Sequence, residues 1–254
     1  MKSLLNKIIV VTGAASGMGE ATARYLAKQG AKIALLDINV EKANDIALEI
    51  GGMAYQCDVT SENSANQVAT QIMQNQGKIS ALINCAGIAP AKRIIGREGA
   101  MPLSDFSKVI EINLIGTFNM MRAIANLISQ NQLDTDSAER GVIINTASVA
   151  GFEGQIGQAA YSASKAGIIG MTLPAARELA RFGIRVMTIA PGIMKTPMLA
   201  AMPDDVQNSL AQMMPFPKRL GQPEEFARLV QHILENEYLN GEVIRLDAGI
   251  RMTA

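Results

Sequence analysis

Short apolar runs with almost no polar alternation recur along the chain: IIVVT at 8–12, KIALLD at 32–37, ALIN at 81–84, GVIINTAS at 141–148, IRVMTIAP at 184–191 and EVIRLD at 242–247. β-Branched residues crowd these runs, and a strand that is apolar on both sides needs helices over both of its faces. Helical spacing fills the intervals, as in GEATARYLAKQG at 19–30, INVEKANDIALEI at 38–50 and NSANQVATQIMQNQG at 63–77. Regular alternation of this kind predicts the α/β class: a single-domain, Rossmann-type doubly wound parallel sheet with helices on both faces, joined by right-handed crossovers. Neither a Pro/Ser-rich linker nor a shift of composition marks a boundary, so 1–254 reads as one catalytic domain. Three segments break the rhythm, at 86–105, 129–141 and 192–221. The last follows the run at 184–191, where α/β folds build substrate sites, and is expected to be the substrate loop.

Composition narrows the partners. With 254 residues and 48% hydrophobic content the chain buries a large core, and its 23 basic and 23 acidic side chains cancel. No net field draws it to nucleic acid or to an anionic membrane. No uncharged apolar run reaches the roughly 18 residues of a membrane-spanning helix. At the start, MKSLLNKIIVVTGAA, Lys7 interrupts the apolar residues and no arginine-rich stretch precedes them, so neither a secretory nor a mitochondrial address is expected. Cys57 and Cys85 form no C-x-x-C pair, which suits a reducing compartment, and the cytoplasm is the expected location. The single histidine, His232, excludes a multi-histidine metal site; no metal is expected, and His232 reads as a surface residue on a helix.

Candidate chemistry begins with TGAASGMG at 12–19, between the first strand and the first helix. Gly13, Gly17 and Gly19 allow a sharp turn and close approach of a pyrophosphate to backbone N–H groups at a helix N-terminus. Asp37 ends the second strand, 18 residues beyond Gly19. A carboxylate there accepts adenosine ribose hydroxyls and repels a 2′-phosphate, which selects NAD; the alternative is a cap for the helix that follows. In CDVT at 57–60, Asp58 is placed to receive the adenine amino group, with Val59 packed on the ring. In NCAG at 84–87, Ala86 and Gly87 let the chain run close under a cofactor, while Cys85 reads as a spacer, since nothing near it would ionise a thiol. Ser148 ends the strand GVIINTAS, Tyr161 follows, and Lys165 stands one helical turn further on. Taken alone, Y-x-x-x-K is as easily a chance surface pair. A free phenol with a pKa near ~10 needs a cation to act as a base at neutral pH, and Lys165 is the cation at hand. Ser148 would then fix a substrate oxygen at the Tyr161 hydroxyl.

Together these residues resemble the short-chain dehydrogenase/reductase family: TGxxxGxG at 12–19, N-x-A-G at 84–87, Asn113 in INLIGTF, Ser148, Y-x-x-x-K at 161–165 and PG at 191–192. Within it, the segments 141–179, 184–193, 215–223 and 239–252 look like the type II 3-hydroxyacyl-CoA dehydrogenases, the subgroup of multifunctional hydroxysteroid dehydrogenases, whose insertions fall at 86–105 and 129–141. The resemblance implies NAD-dependent oxidation of 3-hydroxyacyl-CoA, including 2-methyl-branched esters, by homotetramers. It implies Tyr161 as acid–base, Lys165 on the nicotinamide ribose, Ser148 on the reacting oxygen and Asn113 keeping a water in a proton relay. NAD contacts are implied at Ser16, Met18, Asp37, Asp58, Val59, Cys85, Tyr161, Lys165, Pro191, Gly192, Met194 and Thr196. Met18 and Met194 depart from the bulky apolar residues expected there. Two other readings stand beside it: a 3-oxoacyl thioester or alcohol/steroid reductase of the same family, and an NAD-binding scaffold. Met194, Met198, Met202, Met213 and Met214 either adapt to acyl chains or fill the core.

Overall fold

The computed structural model describes residues 1, 3–133, 138–200 and 203–253, without the side chains of Met198 and Ala200. Residues 134–137 of the polar excursion, Met202 and the Met198 side chain therefore lie outside the described residues. The strands are β1 (Ile8–Thr12), β2 (Lys32–Asp37), β3 (Met53–Gln56), β4 (Ile79–Asn84), β7 (Gly141–Thr146), β8 (Ile184–Pro191) and β9 (Val243–Leu246), with a small antiparallel hairpin of β5 (Ile95–Gly96) and β6 (Gly99–Ala100) inside the 86–105 segment. All seven main strands are parallel, in the order β3-β2-β1-β4-β7-β8-β9. The order reverses between β1 and β4, the switch point at which a doubly wound sheet opens a crevice beyond its carboxyl ends.

Alternate residues of each strand feed two cores. On one face Val11, Leu35, Ile83, Ile144 and Ile189 meet α1 (Gly17–Lys28), α2 (Val40–Ile50) and α9 (Pro223–Glu235). On the other, Val10, Leu36, Leu82, Ile143 and Val186 meet α3 (Glu62–Asn75), α5 (Gly116–Ile128) and the C-terminal half of α6 (Ala159–Ala180). The remaining helices, α4 (Leu103–Ile110), α7 (Pro197–Ala200) and α8 (Asp204–Gln212), belong to the segments beyond the strand ends.

Local chemistry explains the boundaries. Asn39 starts α2 by accepting the Lys42 N–H at 3.1 Å, and Gly51 ends it in the left-handed conformation. Asn39 thus takes the capping role weighed for Asp37. Ser61 starts α3 through the Ser64 N–H, and Pro223 opens α9 with Glu225 reaching back to the Gln222 N–H. β3 has no counterpart among the apolar runs because it is an edge strand on which only Tyr55 is buried. His232 is exposed, as expected of a surface residue. Of the methionine set, Met194 and Met214 are buried and Met213 is half-buried, which favours core filling for the first two. Among the described residues no helix is long and apolar enough to cross a membrane, and no group of three His, Cys, Asp or Glu side chains could hold a metal ion.

Candidate active site

The turn after β1 is shaped by what its glycines lack. Gly13 has φ 63°, and a Cβ there would stand 2.8 Å from the Ala86 backbone. A Cβ on Gly19 would lie 2.1 Å from the Gly13 carbonyl oxygen, so α1 packs onto its own entry turn only with glycine at that place. The Thr12 hydroxyl accepts the N–H groups of Cys85 and Ala86, both at 3.1 Å, and so locks β1 to the 84–87 stretch. Ser16 precedes α1 in extended backbone, and its side chain makes no capping bond, which leaves first-turn N–H donors for an anion. Asp37 Oδ2 accepts the Ala15 N–H at 3.0 Å and Oδ1 the Asn39 N–H at 3.0 Å. Each oxygen keeps a second lone pair for a ligand hydroxyl.

These elements wall a cleft of about 1030 Å³ at the carboxyl ends of the strands. The structure brings to it every residue expected at a cofactor: Gly13, Ser16, Gly17, Met18 and Gly19 from the turn, Asp37 after β2, Asp58 and Val59 after β3, Cys85, Ala86 and Gly87 after β4, and Pro191, Gly192, Met194 and Thr196 after β8. Ser148, Tyr161 and Lys165 line it as well. Asp58 Oδ1 is held by the Thr60 N–H and hydroxyl, and the Val59 carbonyl by Asn119 Nδ2 at 2.8 Å. Burial drives the Cys85 thiol up to about 12, so it stands there as a neutral group. Sequence reasoning missed one stripe: Ser104, Ser107, Lys108 and Glu111 border the cleft from α4 and the turn after it. Their i, i+3, i+4, i+7 spacing was the available signal.

Ser148 begins a single helical turn at Val149–Gly151, and its Oγ accepts the Ala150 N–H at 3.1 Å. Tyr161 and Lys165 lie on the first turns of α6, with Lys165 Nζ 5.7 Å from the phenol ring centre. Asn113 is wholly buried in a wide π-type turn, Glu111–Ile115, that joins α4 to α5. Its Oδ1 accepts the Ile88 N–H at 2.8 Å, while Nδ2 donates to the Ile88 carbonyl at 2.9 Å and to Ser164 Oγ at 3.1 Å. The side chain is thus a clamp between the 84–88 stretch and α6. A Cβ on Gly87 would come within 3.1 Å of Asn113 Oδ1 and 3.7 Å of Lys165 Nζ, so both groups border the hollow that this glycine leaves.

The electrostatics differ from the expectation that Lys165 lowers the phenol. Burial pushes the Tyr161 phenol up, and the neighbouring Ser148 hydroxyl pulls it only part of the way back. Lys165 Nζ instead donates to the Thr146 carbonyl at 2.7 Å, and burial pushes its own pKa down from 10.5 to about 8. Between those two values the unfolded chain binds a proton that the folded chain has released, so folding stability rises with pH across the window from about 8 to 10.5. Below it the buried ammonium costs about 3 kcal/mol. Lys165→Met is therefore expected to gain stability over the wild type near pH 7 and to lose that advantage by pH 10.5, as read from paired urea unfolding curves of the nucleotide-free proteins.

A glycine turn at the switch point, a strand-end carboxylate and a Ser, Tyr and Lys facing one cleft define a dinucleotide-binding enzyme of the doubly wound α/β class. Residues 7–207 match the family model described as short chain dehydrogenase. Over 99% of this chain and 97% of its own length, "3-hydroxyacyl-CoA dehydrogenase type-2" of Bos taurus is 52% identical, and the protein of that name in Drosophila melanogaster is 51% identical over 97% and 98%. A 3-oxoacyl-[acyl-carrier-protein] reductase of Thermotoga maritima is 34% identical over 97% of this chain and 98% of its own. The crystal structure of 3-hydroxyacyl-CoA dehydrogenase type-2 from Mycobacterium avium superposes with a TM-score of 0.90 at 42% identity, covering 97% of this chain and 96% of that one. The chain belongs to the short-chain dehydrogenase family, and with it to the oxidoreductases that use a nicotinamide cofactor.

Proposed function

We propose that the protein oxidises the 3-hydroxyl of 3-hydroxyacyl-CoA thioesters to the 3-oxo products with NAD. The observation that carries this reading is the meeting of Ser148, Tyr161 and Lys165 in one cleft of a chain half identical to dehydrogenases of that name. The cleft fits a dinucleotide: Gly13 and Gly19 let the turn pack against the Ala86 backbone and against itself, Gly17 keeps the lining free of a side chain where nothing else stands within 3.7 Å, and the α1 N-terminus offers donors without a side-chain cap. When bound, the nicotinamide supplies the hydride acceptor. Ser148 Oγ holds the substrate oxygen, and Tyr161 takes the hydroxyl proton as the carbon loses its hydride. Lys165, fixed by the Thr146 carbonyl, would hold the nicotinamide ribose. Asn113 sets the depth of the hollow beside Gly87, where a relay water toward Lys165 would stand.

The choice of NAD rests on Asp37. The next residue, Ile38, is apolar and lines the same cleft, so a 2′-phosphate would meet the Asp37 carboxylate with an apolar side chain, not a cation, next to it in the chain. NAD is expected to bind on the order of 100-fold more tightly than NADP, and Asp37→Ser to close most of that gap by fluorescence titration. Preference of the wild type for NADP would overturn the assignment. Homotetramers are supported by the exposed Leu103, Ile115 and Phe118 along α4, α5 and the turn between them, which ask for a second copy. Two thiols without a disulfide partner suit a reducing compartment such as the cytoplasm. Steady-state rates with NAD across 3-hydroxyacyl-CoA esters, with and without a 2-methyl branch, test the reading; binding of NAD with no turnover of any ester would leave the scaffold in its place.

A further inference from the structure

The connection that carries Ser148 to Tyr161 has a charged anchor of its own. Glu153, near its middle, receives both terminal nitrogens of Arg245, at 2.7 and 3.1 Å, and the Met252 N–H at 3.2 Å. Arg245 lies on β9 with its guanidinium 5.1 Å from the centre of the Phe152 ring, and its other donors reach Asp247 Oδ2 at 2.7 Å and the Ile250 carbonyl at 3.1 Å. Gln155 joins the same tail through the Thr253 carbonyl at 3.0 Å. The tail also touches the opposite wall of the cleft. Gly192 donates its N–H to the Leu246 carbonyl at 2.9 Å, and a Cβ on Gly192 would stand 2.9 Å from Asp247 Cα. Ala248, next in line, holds φ 51°, a left-handed conformation that an alanine keeps only where its surroundings impose it.

We infer that Arg245 is a positioning residue for the reaction: through Glu153 it fixes the 149–158 connection, and so the spacing of Ser148 and Tyr161, against the Pro191–Gly192 turn. The inference rests on the assignment of Ser148 and Tyr161 as the reacting pair. Isolated surface ion pairs do little, but this one is bidentate, with both side chains less than a quarter exposed, and it shares its atoms with a stacked ring and two backbone groups. Transmission is short. A Cβ on Gly154 would lie 2.1 Å from Ser162 Oγ, so the connection sits directly on α6 one residue beyond Tyr161 and has no slack there.

The test compares Arg245→Met, Arg245→Lys and Glu153→Gln with the wild type and with Tyr161→Phe. It measures kcat and KM for a 3-hydroxybutyryl-CoA ester with NAD, nucleotide Kd, and hydrogen exchange of 149–158. Arg245→Met is expected to lower kcat on the order of tenfold, with KM and Kd moving much less, and to speed exchange in 149–158 but not in the glycine turn. Arg245→Lys should restore only part, since an ammonium cannot make the paired contact, and Arg245→Glu combined with Glu153→Arg should recover more than either change alone. Wild-type kcat in Arg245→Met, a kcat loss that tracks the unfolded fraction, or unchanged exchange in 149–158 would overturn the inference. If Tyr161→Phe retains turnover, the reacting pair itself is wrong. If Tyr161→Phe is dead while Arg245→Met runs at the wild-type rate, the positioning role alone fails.

Discussion

Replacing Tyr161 by phenylalanine removes one oxygen and is expected to lower turnover by roughly 1,000-fold or more, the scale of a positioned acid–base group. The ring stays on the first turn of α6 and only the polar contact of its hydroxyl with Ser148 is lost, so the melting temperature should hardly move and nucleotide Kd should stay near the wild-type value. The pH profile carries the diagnostic part. Burial holds the phenol high, and oxidation needs it as the base, so wild-type kcat/KM should climb with pH toward an alkaline plateau. In Tyr161→Phe that limb should vanish, whereas a mere loss of packing would scale the profile without flattening it. Undiminished kcat/KM in the variant would remove Tyr161 from the mechanism.

How far such a site can be read in advance depends on the range of the interactions that make it. The glycine turn and the residues at strand ends are local: their spacing follows from one strand, one turn and one helix, and the structure brings all of them to the same cleft. The buried strands are legible for the same reason, since two covered faces leave an uninterrupted apolar run. β3 is not, because an edge strand needs little more than the buried Tyr55. Neither is the clamp made by Asn113, whose partners lie 25 and 51 residues away, nor the ion pair of Glu153 with Arg245 across 92 residues. The state of Lys165 is hidden too. Proximity in sequence puts the lysine beside the phenol, but its ammonium is engaged by the Thr146 carbonyl and burial lowers its pKa.

The end of the sheet opposite the cleft should show the reverse behaviour, with stability lost and chemistry spared. Arg185 enters β8 at the end opposite the cleft, roughly 20 Å of strand from Pro191. It is 7% exposed; its Nε meets Glu139, and Nη1 and Nη2 hold the carbonyls of Ile233, Leu239 and Leu234 at 2.9, 2.8 and 3.1 Å. One guanidinium therefore ties β8 to the last turn of α9 and the residues after it. Arg185→Met keeps the length and apolar stem but withdraws every donor: the Ile233 and Leu239 carbonyls lose this contact, while Glu139 and the Leu234 carbonyl each keep the Met1 ammonium at 2.9 Å. Breaking a buried pair from one side costs about 3–5 kcal/mol when the remaining charge has no other partner, and the Met1 ammonium on Glu139 sets the expectation here at about 3 kcal/mol. Urea unfolding of Arg185→Met should show a loss of that size, and the melting temperature should drop by about 10 °C for a chain of this length. Arg185→Met combined with Glu139→Gln should cost less than the two single changes together, because the two side chains belong to one buried network and the contact between them is lost only once. Turnover per folded molecule should stay at the wild-type value, since nothing that Arg185 touches lines the cleft. A variant that unfolds like the wild type, or one that stays folded and loses kcat, would show that the two ends of the sheet do not divide the work in this way.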